Sequence, residues 1–128
     1  MHPLTMNKIL IIEDETVISF GYSLQLEKMG FEVIGTARSS EEAERILDRE
    51  RPDLIIMDVY LKGPKTGLEL AQEIHEKDPI PIIFLTASTR PDIVDAIRAL
   101  KGCHYLAKPI NTDSLDEVLQ RFLRHGRG

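Results

Sequence analysis

The sequence predicts an α/β fold: a five-stranded parallel sheet with helices on both faces. Three observations predict it. Short apolar runs alternate with helix-spaced segments five times along 128 residues. The runs are apolar at nearly every position rather than at alternate ones, as in strands covered on both faces. No repeat, linker or low-complexity stretch breaks the alternation, so the chain reads as one domain. Alternating strands and helices imply parallel pairing, and the right-handed crossover rule narrows the topology to a doubly wound sheet.

Lys8-Ile9-Leu10-Ile11-Ile12 is the first strand. Val17 to Met29 follows at helical spacing, with Val17, Ile18, Tyr22, Leu24 and Leu26 apolar, and Gly30 suits the position just past its end. Phe31 to Gly35 reads as the second strand. Ser39 and Glu42 have capping-box spacing and open a helix through Ala43, Ile46 and Leu47, which Pro52 stops. Leu54 to Met57 is the third strand and ends at Asp58. A loop with Gly63, Pro64 and Gly67 leads to a helix near Leu68–Lys77. Ile82 to Leu85 is the fourth strand. Pro91 suits the first position of a helix carrying Ile93, Val94, Ile97 and Leu100. Cys103 to Leu106 is the fifth strand, and Asn111 can cap a last helix holding Leu115, Val118, Leu119 and Phe122. Residues 1–7 and 125–128 read as tails around a domain spanning 8–124.

The apolar fraction is 42% and the charged fraction 29%, ordinary for a water-soluble domain. The single cysteine, Cys103, excludes an intrachain disulfide and fits a reducing cytoplasm. No apolar run approaches the ~18 residues of a membrane span, and no secretory signal pattern opens the chain. The net charge of −5 lies in the first half: residues 1–64 carry seven basic and twelve acidic side chains, residues 65–128 nine of each. That balance argues against direct binding of nucleic acid and suits a hard divalent cation.

Doubly wound sheets place their sites at the carboxyl ends of the strands. Those ends carry Glu13 and Asp14, then Asp58, then Thr86 with Ala87 and Ser88, then Lys108 with Pro109. Close carboxylates repel by about 3–4 kcal/mol per pair at an effective dielectric near 20. Lys108 supplies one positive charge, and Mg²⁺ (or Mn²⁺) would supply two in its preferred oxygen environment. A magnesium site with open positions suits a phosphoryl group, and an aspartate can be the nucleophile that takes it. Each residue has a plainer reading. Glu13-Asp14 can be an acidic pair at a helix start, Asp58 an Asx-turn residue, Thr86 a helix cap and Lys108 a loop lysine. The plain readings require four separate coincidences on one sheet edge.

The motifs Ile11-Ile12-Glu13-Asp14-Glu15, Asp58 at a strand end, Leu85-Thr86-Ala87 and Tyr105-Leu106-Ala107-Lys108-Pro109 stand in order. In them the chain resembles the response-regulator receiver domain of two-component phosphorelays, from about Lys8 to Phe122. The resemblance implies a flavodoxin-like (βα)5 fold with strand order 2-1-3-4-5. It implies Asp58 as the phosphoacceptor, loaded by a histidine kinase or phosphotransfer protein. Glu13, Asp14, Asp58 and the Tyr60 backbone carbonyl would hold Mg²⁺. Thr86 and Lys108 would bind the phosphoryl group, and Tyr105 would be the switch aromatic. Tyr60 and Ser88 hold the positions that tune dephosphorylation, and the bond to Pro109 would be cis. The fourth helix, fifth strand and fifth helix would form the face for an output domain or protein, or for a homodimer, with Arg90, Arg98 and Lys101 nearby.

The chain departs from the common pattern in three places. The acidic pair is Glu-Asp rather than Asp-Asp. The loop Leu61 to Gly67 is one residue longer and resembles a subgroup with Leu-x-Gly after the phosphoacceptor. Gly102 lies one residue nearer Tyr105 than usual. The resemblance implies a signalling switch rather than an enzyme. The alternative is a pseudo-receiver, an interaction module never phosphorylated, although such modules usually lack one of Glu13, Asp14, Asp58, Thr86 and Lys108. A phospho-aspartyl phosphatase needs a second acid soon after the nucleophile, where Val59 and Tyr60 stand. A flavin binder wants Ser, Thr and Gly where Glu13-Asp14 lie. Cys103 reads as a small core residue, His75 and His104 as surface residues without metal partners, and Gly67 as a turn glycine.

Overall fold

A computed structural model describes residues 7–61, 63–87, 90–108 and 111–125. Five strands, β1 (Lys8–Ile12), β2 (Glu32–Ala37), β3 (Leu54–Asp58), β4 (Ile82–Thr86) and β5 (Cys103–Ala107), form one sheet. Five helices alternate with them: α1 (Thr16–Lys28), α2 (Ser40–Arg49), α3 (Gly67–Lys77), α4 (Pro91–Arg98) and α5 (Thr112–His125). All pairings are parallel and the order is β2-β1-β3-β4-β5. The order reverses between β1 and β3, which makes that crevice the switch point.

The unbroken apolar runs fill two cores. Leu10, Ile12, Ile55, Met57, Ile82 and Phe84 point toward the layer of α2, α3 and α4. Ile9, Ile11, Leu54, Ile56, Ile83 and Leu85 point the other way, against α1 and α5. Nearly all are fully buried, and each contributes about 1.5–3 kcal/mol of burial free energy. The alternation of Cβ directions along a strand thus assigns one half of each run to each face.

Helix ends follow the local chemistry. The Ser39 hydroxyl accepts from the Glu42 N–H at 3.3 Å, but the Glu42 carboxylate accepts from the Arg38 N–H at 2.8 Å. The predicted box is therefore shifted by one residue on its return bond. A full box forms instead at α3, where Thr66 and Glu69 each accept from the other's backbone N–H, at 3.1 and 2.9 Å. Asn111 caps α5 as predicted, accepting from the Ser114 N–H at 2.7 Å. Gly30 follows α1 with φ of 96°, a conformation that favours glycine.

α1 departs from the expected amphipathic helix. Only Ser19 and Leu26 are buried on it. Val17 and Phe20 are 86% and 63% exposed, and Leu24 lies beyond them in the same row. His75 and His104 are half-buried rather than surface residues: His75 Nε2 lies 2.8 Å from the Ile80 carbonyl, and the His104 ring meets Phe122 edge-on. Cys103 is likewise half-buried, packed against the core. No described helix is long and apolar enough to cross a membrane.

Candidate functional site

The sheet carries the chemistry to one edge. The Glu13 N–H donates to the Ala37 carbonyl at 2.8 Å, extending the β1–β2 ladder one residue past β1. Its side chain is buried at 2% exposure. Asp58 is the last residue of β3 and lies opposite Leu85 of β4. Thr86, fully buried, ends β4, and its carbonyl accepts from the Lys108 N–H at 2.9 Å. That bond holds Lys108 beside the end of β4. Carboxylate oxygens of Glu13, Asp14 and Asp58 all lie within 4.8 Å of one another. The Lys108 ammonium stands 3.3 Å from Glu13 Oε1 and 3.6 Å from Asp58 Oδ2.

One ammonium does not balance three carboxylates. Burial pushes the Glu13 carboxyl up to about 7, and the neighbouring Asp58 charge adds to the push; the Glu15 N–H and Lys108 oppose it. Lys108 is half-buried, which works against its charge, yet Asp58 and Glu13 outweigh this and raise its pKa. The donor set fits a divalent cation: hard oxygens, close together, with excess negative charge and one member destabilised as an anion.

A sequence profile described as "Response regulator receiver domain" matches residues 9–120. The chain belongs to the response regulator receiver domain family. It is 35% identical over 113 residues to the transcriptional regulatory protein PdtaR of Mycobacterium tuberculosis, covering 88% of this chain and 55% of that one. It is 38% identical over 117 residues to the phyllosphere-induced regulator PhyR of Methylorubrum extorquens, covering 91% of this chain and 43% of that one. The solved chemotaxis response regulator CheY4 of Vibrio cholerae superposes with a TM-score of 0.81 at 31% identity, covering 92% of this chain and 99% of that one. The chain spans about half the length of the curated relatives it matches.

The receiver fold brings together Glu13, Asp14, Asp58 and Lys108, with Thr86 at the adjoining strand end. Tyr105 is half-buried in β5 and packs against the α2–α4 core. Tyr60 follows on the loop after β3, 50% exposed. Its N–H donates to Asp58 Oδ1 at 3.0 Å, so the plain Asx-turn reading of Asp58 holds alongside the carboxylate cluster. Ser88 and Pro109, with its peptide bond, lie outside the described residues.

Two contributors escaped the sequence reading. Gly67 opens α3, and its N–H donates to the Val59 carbonyl at 2.9 Å. A Cβ there would lie 2.3 Å from the Asp58 carbonyl oxygen and 3.0 Å from Val59 Cα. Gly67 is therefore a close-approach glycine under the phosphoacceptor candidate, not a turn glycine. Lys65 ties the same loop down: its Nζ lies 3.0 Å from Glu44 of α2 and 2.6 Å from Glu73 of α3. The Thr66-x-x-Glu69 spacing gave a legible sign of where α3 starts, whereas the approach of Gly67 to β3 has no signature in one sequence.

Two outcomes follow from this geometry. Gly67→Ala forces backbone apart, so chemical denaturation should show a loss of about 2–3 kcal/mol. Gly21→Ala, in α1 with nothing within 4 Å of the added methyl, should gain about 0.5–1 kcal/mol; the reverse order would refute the close-approach assignment. The second outcome concerns pH. The Glu13 pKa, raised from 4.5 to about 7 on folding, contributes stability that is complete below pH 4.5 and lost as pH rises through 7. In metal-free buffer, Glu13→Gln should flatten the fall in stability between these values; an unchanged slope would show that Glu13 is not the group responsible.

Proposed function

We propose that this receiver domain is phosphorylated on Asp58 by a histidine kinase or phosphotransfer protein, with Mg²⁺ at Glu13, Asp14, Asp58 and the Tyr60 carbonyl. The observation that carries the reading is the meeting of three carboxylates with Lys108 at the β1–β3 switch point. Asp58 Oδ1 is occupied by the Tyr60 N–H, which leaves Oδ2, the oxygen nearest Lys108, as the nucleophile. Oδ2 forms the new bond to phosphorus as the donor's P–N bond breaks and its electron pair returns to the imidazole. Lys108 holds a transferring oxygen by charge and hydrogen bonding. The bound cation supplies positive charge against the carboxylates and the developing phosphoryl charge.

The phosphoryl group adds about −1.5 to −2 charge and three acceptor oxygens, by analogy with phosphate monoesters. Thr86 and Lys108 gain partners, and Tyr105 turns with Thr86. Those bonds favour one member of a conformational pair and change the face of α4, β5 and α5 offered to an output domain, a partner protein or a second copy. Tyr60 and Ser88 set the lifetime of the state, Tyr60 by screening the acyl phosphate from water. The donor must cover the mouth of the site to reach Asp58. The exposed row Val17, Phe20 and Leu24 begins three residues after Asp14 and suits an apolar donor surface.

Intact mass after incubation with acetyl phosphate and Mg²⁺ tests the core of the proposal. Wild type should gain one phosphoryl group, and Asp58→Asn or metal-free protein none. A gain that survives Asp58→Asn would identify another acceptor, and no gain in wild type would favour the pseudo-receiver reading. Phe20→Asp should slow loading from a phosphorylated histidine phosphotransfer protein by about tenfold, the cost of one interface aromatic worth ~1.4 kcal/mol. Loading from acetyl phosphate should not change; equal slowing from both donors would argue against a docking role.

A further inference from the structure

We propose that the cleft between α2 and α3 binds a free α-amino acid with an apolar side chain, its ammonium on Asp48 and its carboxylate on Lys77. The site lies apart from the carboxylate cluster, and the inference does not rest on the phosphoacceptor reading. Leu47 of α2, Leu70 and Ile74 of α3, and Ile80 beyond α3 line a cavity of about 160 Å³. Leu70, Ile74 and Ile80 are buried, so the floor is apolar. A cavity of about 150 Å³ with walls of this kind holds a benzene ring. A phenyl or branched aliphatic group therefore fits.

Three pairs of charged residues also line the cleft, one member of each pair from each side. α2 offers Glu44, then Asp48 one turn on, then Arg51 just past its end. α3 offers Glu73, then Lys77 one turn on, then Asp78 just past its end. The first pair is bridged, since the Lys65 ammonium lies 3.0 Å from Glu44 and 2.6 Å from Glu73. The third pair is bridged too: Arg51 grips Asp78 with Nε 2.6 Å from Oδ2 and Nη2 3.0 Å from Oδ1. The middle pair has opposite charges yet does not close. Among the described residues, neither the Asp48 nor the Lys77 side chain has a hydrogen-bond or ion-pair partner. An acid and a base that line one cavity without meeting suit a ligand carrying both complementary charges. An ammonium donates to Asp48, a carboxylate accepts from Lys77, and the side chain between them covers the apolar floor. An amine alone or an acid alone satisfies only one wall. Both residues are exposed, so the charge contacts are modest and apolar burial supplies much of the affinity. Lys65 belongs to the loop that follows Asp58, so an occupant sits against Glu44 and Glu73, the residues that anchor that loop.

The test is titration of the isotope-labelled full chain with L-phenylalanine, read by backbone amide chemical shifts. Saturable shifts should appear in α2, α3 and around Ile80, with a Kd on the order of 1 mM for a ligand of this size. Phenethylamine, which lacks the carboxylate, and hydrocinnamate, which lacks the ammonium, should each bind about 3–10-fold more weakly. Asp48→Asn should weaken phenylalanine and phenethylamine by a similar factor and should not weaken hydrocinnamate. Lys77→Gln should do the reverse, weakening phenylalanine and hydrocinnamate only. Both side chains are exposed and unpaired, so neither change endangers the fold. Absence of saturable shifts at roughly twenty times the expected Kd would overturn the proposal. So would shifts centred elsewhere, equal affinity for the three ligands, or variants that weaken all three alike.

Discussion

The repulsion among Glu13, Asp14 and Asp58 is the constraint to which the rest of the structure answers. At about 3–4 kcal/mol for each close pair, even at an effective dielectric near 20, it is comparable with much of a domain's net stability of roughly 5–15 kcal/mol. Such a cluster persists only on a scaffold that cannot relax away from it. Here the scaffold is the central strands. β1 and β3 are neighbours in fixed register, Ile12 opposite Met57, so the residues that follow them have no freedom to separate. Their side chains fill two cores with no polar interruption before Glu13 and Asp58. The apolar burial that builds the sheet therefore also maintains the electrostatic stress at its end, and Lys108 relieves only part of that stress.

This division explains what was legible in the sequence. The three central strands, β1, β3 and β4, could be read from composition because a strand buried on both faces must be apolar throughout. The edge could be read because a doubly wound sheet gathers its strand ends, and Glu13, Asp58, Thr86 and Lys108 each end an apolar run. What escaped depends on distances between segments. Gly67 looks like any loop glycine until α3 is seen resting on the carbonyl of Asp58. Lys65 looks like a solvated lysine until Glu44 and Glu73 converge on it from two helices. α1 misled for a different reason. Its apolar residues satisfy helical spacing in more than one direction, and spacing alone does not tell which direction faces the core.

The length of the loop after Asp58 has a consequence of its own. A loop running from Asp58 to Gly67 would ordinarily have freedom at the point where the site most needs to be fixed. The chain offsets it at the far end: a complete capping box at Thr66 and Glu69, a close-approach glycine, and the two-sided tether of Lys65. At the near end, the Tyr60 N–H donates to Asp58. The loop's tethers thus gather where it enters α3.

Departures from local rules gather around the same edge. Glu15 stands at the cap position of α1 with no side-chain bond to the helix. α1 exposes Val17 and Phe20. Three acids crowd together, Glu13 and Asp58 among them buried, and a glycine opens α3 where a better helix former would stand. Away from the edge the local rules hold: Gly30 follows α1 in a glycine conformation, and the strand interiors are apolar. A sequence shaped only for stability has no reason to sort its violations in space. Their concentration around Glu13, Asp14 and Asp58 separates a built site from a chance gathering of polar residues.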